Sequence, residues 1–179
     1  VTSLTLTKDE KYTAVSIDNN IHFLDKDGNS TKIIDAHDSQ IRLLVPFLYR
    51  DFIISASDDE TLKIWDINQG ICMSQLEGYF VNEIRITPDE DLIVFSDDES
   101  LIRIWQWQTE TRADIFDNNE EPAFVWTLTP NGKQIISSND KGIYVWDKKH
   151  RLCMITLADH ADPVSEIVGV PSGKNFVSS

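Results

Sequence analysis

The sequence predicts an all-β chain made of repeats of one small antiparallel unit. Three observations carry that prediction. The tetrapeptide Lys63-Ile64-Trp65-Asp66 returns as Arg103-Ile104-Trp105-Gln106 and as Tyr144-Val145-Trp146-Asp147, so the tryptophans stand 40 and 41 residues apart. A further 41 residues upstream of Trp65, His22-Phe23-Leu24-Asp25 keeps the frame with Leu24 in the aromatic's place. Short segments rich in Val, Ile, Leu, Phe and Trp alternate with turn residues, and no amphipathic helix of useful length interrupts them.

The elements follow in order. Val1–Thr7 reads as the first strand of a unit already in progress. The second unit is expected to hold strands at Ile41–Val45, Phe52–Ser57, Thr61–Ile67 and Cys72–Leu76. Turns fall at Asp58-Asp59-Glu60, Asn68-Gln69-Gly70 and Glu77-Gly78. The third unit offers Ile84–Thr87, Leu92–Ser96, Ile102–Trp105 and Ala113–Phe116. The fourth offers Val125–Thr129, Gln134–Ser138, Ile143–Asp147 and Cys153–Leu157. Pro88, Pro130 and Pro171, each followed by Asp, Asn-Gly or Ser-Gly, mark the turn after a first strand.

With 30 acids against 16 bases the 179-residue chain carries a net charge of −14. Nucleic acid and anionic membranes demand basic surface and are disfavoured partners, whereas a basic protein or peptide is electrostatically favoured. No run approaches the length of a membrane span, and Val1-Thr2-Ser3-Leu4-Thr5 lacks the pattern of a signal peptide. The two cysteines, Cys72 and Cys153, each stand seven residues after a repeat tryptophan. Two repeats apart, they are too distant for a disulfide and are expected to be buried, reduced thiols of an intracellular protein. Cytoplasm is the first expectation, with the nucleus admitted.

Ser55-Ala56-Ser57-Asp58-Asp59-Glu60-Thr61-Leu62-Lys63-Ile64-Trp65-Asp66, with Gly70, Cys72 and Leu76-Glu77-Gly78 after it, closely resembles one repeat of the WD-repeat (β-transducin-like) family. The fourth unit also matches well. The first departs at Leu24 and the third at Gln106. The resemblance implies a β-propeller of four-stranded antiparallel blades around a channel. Its approximate blades are 1–36, 37–77, 78–119, 120–159 and a partial 160–179. Such propellers usually close with about seven blades. The last half-blade stops where Asp and Trp are due, so the chain is expected to be a segment of a longer polypeptide.

His37, Ser55 and Asp59 have the residue types of a catalytic triad. In the family's frame they instead form a structural tetrad with Trp65, a hydrogen-bonded chain from indole N–H through Ser and His to Asp. Such a chain satisfies a buried indole and imidazole at once. Ser55 is preferred over Ser57 because pairing across the Asp59 turn is expected to set it opposite Trp65. His160 with Ser178 would begin a second tetrad, while blades lacking the His should be less well pinned. Trp65, Trp105 and Trp146 are blade tryptophans, Trp107 is expected to be partly exposed, and Trp126 to pack in the channel wall.

In a four-stranded antiparallel blade, the second-to-third turns and the blade connections emerge on one face. That face collects 16 acids and a single base, Lys141, whereas the opposite face has 11 acids and 10 bases. Asp18, Asp59, Asp98 and Asp140 are taken to occupy the family's structural Asp position. Asp58, Glu60, Asp97, Glu99, Glu120 and Glu121, with Tyr79 and Phe80 as aromatic anchors, are the candidate partner-binding residues. The expected function is a non-catalytic interaction scaffold presenting an acidic face to a basic segment. The alternative is a sensor or autoinhibitory propeller of a larger protein whose enzymatic part lies elsewhere. No catalytic residue, cofactor or metal is expected; Asp97-Asp98-Glu99 lacks the ligand spacing of a calcium loop.

Overall fold

Period-two alternation of apolar residues, broken by Gly, Pro, Asp and Asn, produces eighteen short strands among the described residues. A computed structural model describes residues 1–109, 122–150, 152–157, 164–169 and 176–178, and the backbone of 114–115. The first sheet comprises β1 (Leu4–Leu6), β2 (Thr13–Ile17), β3 (Asn20–Leu24) and β4 (Ser30–Asp35). The second comprises β5 (Ile41–Pro46), β6 (Phe52–Ser57), β7 (Thr61–Asp66) and β8 (Ile71–Glu77). The third comprises β9 (Val81–Ile86), β10 (Ile93–Asp97), β11 (Ile102–Trp105) and β12 (Asp114–Ile115). The fourth comprises β13 (Val125–Leu128), β14 (Gln134–Asn139), β15 (Gly142–Asp147) and β16 (Leu152–Leu157). Strands β17 (Ile167–Gly169) and β18 (Phe176–Ser178) pair as the start of a fifth. All pairings are antiparallel between sequence neighbours, so each sheet is a meander and each meander a blade.

The core lies between blades. Along β6, Ile53 faces blade one, where it joins Ala14, Ile21 and Phe23 together with Trp65 of its own blade. Its neighbours Ile54 and Ala56 face blade three, meeting Ile84, Phe95 and Trp105. Val94, Ile102 and Ile104 meet Trp126, Ile135 and Trp146 between blades three and four. Ile136 and Ile143 meet Val164 and Ile167 between four and five. Because both faces of an inner strand are covered, β10 is buried at every residue.

A register shift between the third and fourth strands recurs at Phe23/Leu24, Ile64/Trp65 and Val145/Trp146. The bulge falls at the repeat tryptophan position and twists the outer strand away there. The first-to-second turn also recurs. Thr7 and Thr129 donate their hydroxyls to Asp9 and Asn131 at 2.8 Å, and Thr87 makes the same bond to Asp89. Three residues after each Thr the chain takes a positive φ, at Glu10, Glu90 and Gly132.

The structure corrects several expectations. β9 begins at Val81, three residues before the expected Ile84, because Val81 pairs with Asp97 across a bulge. Cys72 is exposed and Cys153 half-buried, both free thiols. Each cysteine lies on an outer strand, where solvent replaces a further strand. Trp107 is 7 % exposed rather than a surface residue. Its ring sits edge-on to Phe47 and Phe52, at 5.7 and 5.9 Å between centroids, and its indole donates to the Glu90 carbonyl at 3.0 Å. Trp126 is buried against Trp146 and Ile135.

Candidate interaction faces

Blade two brings His37, Ser55, Asp59 and Trp65 together. The Trp65 indole donates to Ser55 Oγ at 2.9 Å, and Ser55 Oγ lies 2.6 Å from His37 Nε2. His37 Nδ1 lies 2.9 Å from Asp59 Oδ2, which also accepts the Asp38 amide at 3.0 Å. Thr61 supplies its hydroxyl to Asp59 Oδ1 at 2.7 Å, a member of the network that sequence reasoning missed. Burial holds the His37 pKa below the ordinary value although the Asp59 carboxylate pulls it up, which keeps the imidazole neutral. Burial pushes the Asp59 carboxyl up, but bonds from Thr61, Asp38 and His37 more than reverse this and hold it low. These protonation states give the bonds one direction: Ser55 donates to Nε2, and Nδ1–H donates to Asp59.

The reason expected for Ser55 was wrong in detail. Ser55 pairs with Lys63 and Trp65 with Ile53, so the indole reaches Ser55 along a diagonal on one sheet face. Ser57 instead donates to the Ser39 carbonyl at 3.0 Å and accepts the Asp59 amide. In blade four, Trp146 donates to Ser137 Oγ at 2.8 Å, repeating the Trp–Ser bond. The signal was present in the sequence, since Ser137 precedes Trp146 by nine residues where Ser55 precedes Trp65 by ten. The His160 of the expected second tetrad lies outside the described residues.

Blade three uses different chemistry. Tyr79 donates its amide to the Glu60 carbonyl as His37 does to that of Asn19, so Tyr79 occupies the His position. Phe95, two residues past the partner of Trp105, occupies the Ser position. The two rings meet edge to face at 5.5 Å, and the Arg103 guanidinium lies 4.9 Å from the Tyr79 ring. Arg103 Nε donates to Asp97 Oδ2 at 2.5 Å, and Asp97 accepts the Leu101 amide at 2.9 Å. An aromatic–ion-pair stack thus stands where blade two has hydrogen bonds, so the missing His does not leave this blade without a polar anchor.

That stack removes two candidates from the acidic face. Asp97 is 2 % exposed and bound to Arg103, and Tyr79 is half-buried beneath the same guanidinium. Asp58 lies 3.7 Å from Arg42, a base carried by a strand rather than a loop. The structural Asp position in blade three falls to Glu99 when Trp65 and Trp105 are aligned, one residue beyond the expected Asp98. Asp18, Asp35, Asp38, Glu60, Asp98, Glu99 and Asp140 remain exposed on this face, and Phe80 is half-buried. Glu120 and Glu121 lie outside the described residues. Among the described residues no group of His, Cys, Asp and Glu could hold a metal ion, and no helix is long and apolar enough to cross a membrane.

Residues 28–66 and 114–147 match the family model described as WD domain, G-beta repeat. The first match runs from the turn before β4 to the end of β7, so a sequence repeat takes its outer strand from the preceding blade. Those two segments are WD repeats, and the chain is similar to WD-repeat proteins. Among curated relatives of this chain is the nuclear distribution protein PAC1 of Arthroderma benhamiae, 27 % identical over 154 residues. That match covers 72 % of the chain and 33 % of the relative. The WD repeat-containing protein 55 homolog of Dictyostelium discoideum is 26 % identical over 149 residues, covering 81 % of the chain and 36 % of the relative. The chain thus spans about a third of the length of these relatives. A solved β-propeller domain, Cps50 (Swd1) of Myceliophteria thermophila, matches with a TM-score of 0.78 at 12 % identity. It covers 99 % of the chain and 60 % of the propeller chain, which shows the fold.

Proposed function

We propose that this WD-repeat segment is a non-catalytic scaffold whose acidic loop face receives a basic segment of a partner protein. WD-repeat proteins generally act as interaction scaffolds, and the finer assignment rests on one observation. After the ion pairs of Asp58 and Asp97 are set aside, the second-to-third turns and blade connections still present exposed Asp38, Glu60, Asp98, Glu99 and Asp140. Lys141 is the only basic residue in those turns and connections. Clustered charge of one sign raises local counter-charge concentration and speeds encounter.

The triad-like residues support the scaffold reading. Ser55 is fully buried and His37 nearly so, which leaves no room for a substrate at either. His37, Ser55, Asp59 and Trp65 act as a structural tetrad in this view. Relatives named for nuclear distribution and pre-mRNA processing agree with an intracellular setting.

Titrating labelled Lys/Arg-rich peptides against the full chain over a salt series tests the proposal. Affinity should fall steeply as salt rises, and Glu60→Gln with Glu99→Gln should weaken it several-fold. Affinity flat with ionic strength, or unchanged in the double variant, would overturn the assignment.

A further inference from the structure

A cavity of about 590 Å³ opens between blades three and four on the face opposite the acidic loops. Its walls come from the β9–β10 turn, the β13–β14 turn and the β15–β16 turn, with Leu92 and Gln106 among its lining residues. Three carboxylates and three lysines line it, so its net charge looks balanced, but their commitments are unequal. Asp89 is held by Lys148 at 2.8 Å, and Asp147 accepts both the amide and the ring nitrogen of His150 at 2.6 and 2.9 Å. Asp91 faces Arg50 at 3.7 Å. Lys133 and Lys149 are exposed and have no ion pair among the described residues. Lys133 and Lys149 are thus the charges of the cavity lining left without a direct partner among the described residues.

The loop beside this cavity is built differently from its counterparts. Where blades one, three and four place Thr7, Thr87 and Thr129, blade two places Phe47, buried against Phe52 and Trp107. The Tyr49 amide donates to Glu90 at 2.5 Å, and Arg50 joins the same carboxylate at 3.4 Å while lying over the Trp107 ring. Glu90 is buried, so the loop is clamped from below. Leu48 and Tyr49 are nonetheless 64 % and 63 % exposed. Arg50 ties this tip to Asp91 on the cavity wall. Rigid backbone under exposed large side chains lowers the ordering cost of binding.

We propose that the cavity and the Leu48-Tyr49 tip together receive an acidic segment of a partner protein. Its carboxylates sit at Lys133 and Lys149, and an apolar residue rests on Tyr49. An acidic occupant is favoured over a basic one because the ammonium groups of Lys133 and Lys149 stand without a partner among the described residues, whereas Asp89 and Asp91 are ion-paired and Asp147 is hydrogen-bonded by His150. Screening confines repulsion from the acidic face to about 8 Å at physiological salt.

The test uses the full chain and a labelled peptide in which a Leu-Phe pair is followed by glutamates. Its lysine counterpart and inorganic phosphate alone serve as comparisons. Lys133→Glu with Lys149→Glu should weaken binding about ten-fold, and Tyr49→Ala about five-fold. Glu60→Gln on the other face should leave it unchanged. The variants should melt with the parent, and Lys133→Gln with Lys149→Gln provides the same readout if charge reversal disturbs folding. Equal binding by the lysine variants, or by the lysine peptide, would overturn the proposal. So would competition by phosphate alone at equal concentration, which would mark a free-anion site.

Discussion

His37 has a carboxylate on one ring nitrogen and a hydroxyl on the other, and its burial decides between two protonation states. Because its folded pKa is lowered, the unfolded chain binds the proton first as pH falls through about 6.5. Stability contributed by the neutral ring is therefore complete above that value and declines below it. Asp59, also depressed, adds a second loss as pH falls below about 4. Urea midpoints measured from pH 8 to pH 2 should fall in this order, and His37→Gln should flatten the first part. His37→Ala should cost about 1–3 kcal/mol by leaving Ser55 and Asp59 short of a partner. If it altered peptide binding with thermal stability intact, the tetrad assignment would fail. Asp97 makes the corresponding case in blade three. Its replacement by Ala strands Arg103 half-buried and should cost about 3 kcal/mol in chemical denaturation, with little change in affinity for basic peptides.

At the scale of elements, the turns matter more than the strands they join. Gly132 has φ +63, and a Cβ there would lie 2.3 Å from Pro88 Cδ of the preceding blade. Pro130 stands in the same relation to Gly169, where the distance would be 2.9 Å. Pro88 and Pro130, which shape their own turns, thus each press on a glycine of the next blade, so at these two junctions turn and blade spacing are set by one contact. Gly132→Ala should destabilise by about 2 kcal/mol or more, by combining left-handed strain with a steric clash. Thermal melting of that variant beside Gly28→Ala, which meets nothing within 4 Å, separates the clash from the backbone preference. Much of this was legible beforehand. Strands β6 and β7 fell within a residue of expectation, because Asp58–Glu60 is a strong turn between apolar runs. Val81 was missed because Asn82 and Glu83 mask a strand whose pairing depends on a bulge in its neighbour.

Over the whole molecule, stability comes from blade-to-blade burial, and both proposed binding sites lie in the loops at the two rims. Each apolar cluster takes residues from two blades, so a blade alone would expose both faces of its inner strands. The two rims differ in charge, and the proposals predict opposite partners for them. A salt series with basic peptides and lysine variants with acidic ones should therefore report independently on the two faces. Crossed results, with Glu60 and Glu99 variants altering acidic-peptide binding, would show that one site had been mistaken for two.

The repeat spacing of Trp65, Trp105 and Trp146 determined the all-β meander and the blade order, because local pattern and turn chemistry need no distant partner. It also placed His37, Ser55 and Asp59 in one blade. Tertiary structure alone decided which charges remain free. Arg103 neutralises Asp97 from six residues away on another strand, and Arg42 approaches Asp58 from β5. It also buried Trp107, which follows a strand in sequence but fills the gap beneath Phe47 of the preceding blade. Ion pairs within a blade and ring contacts between blades both depend on side-chain reach across space, which one-dimensional spacing does not encode.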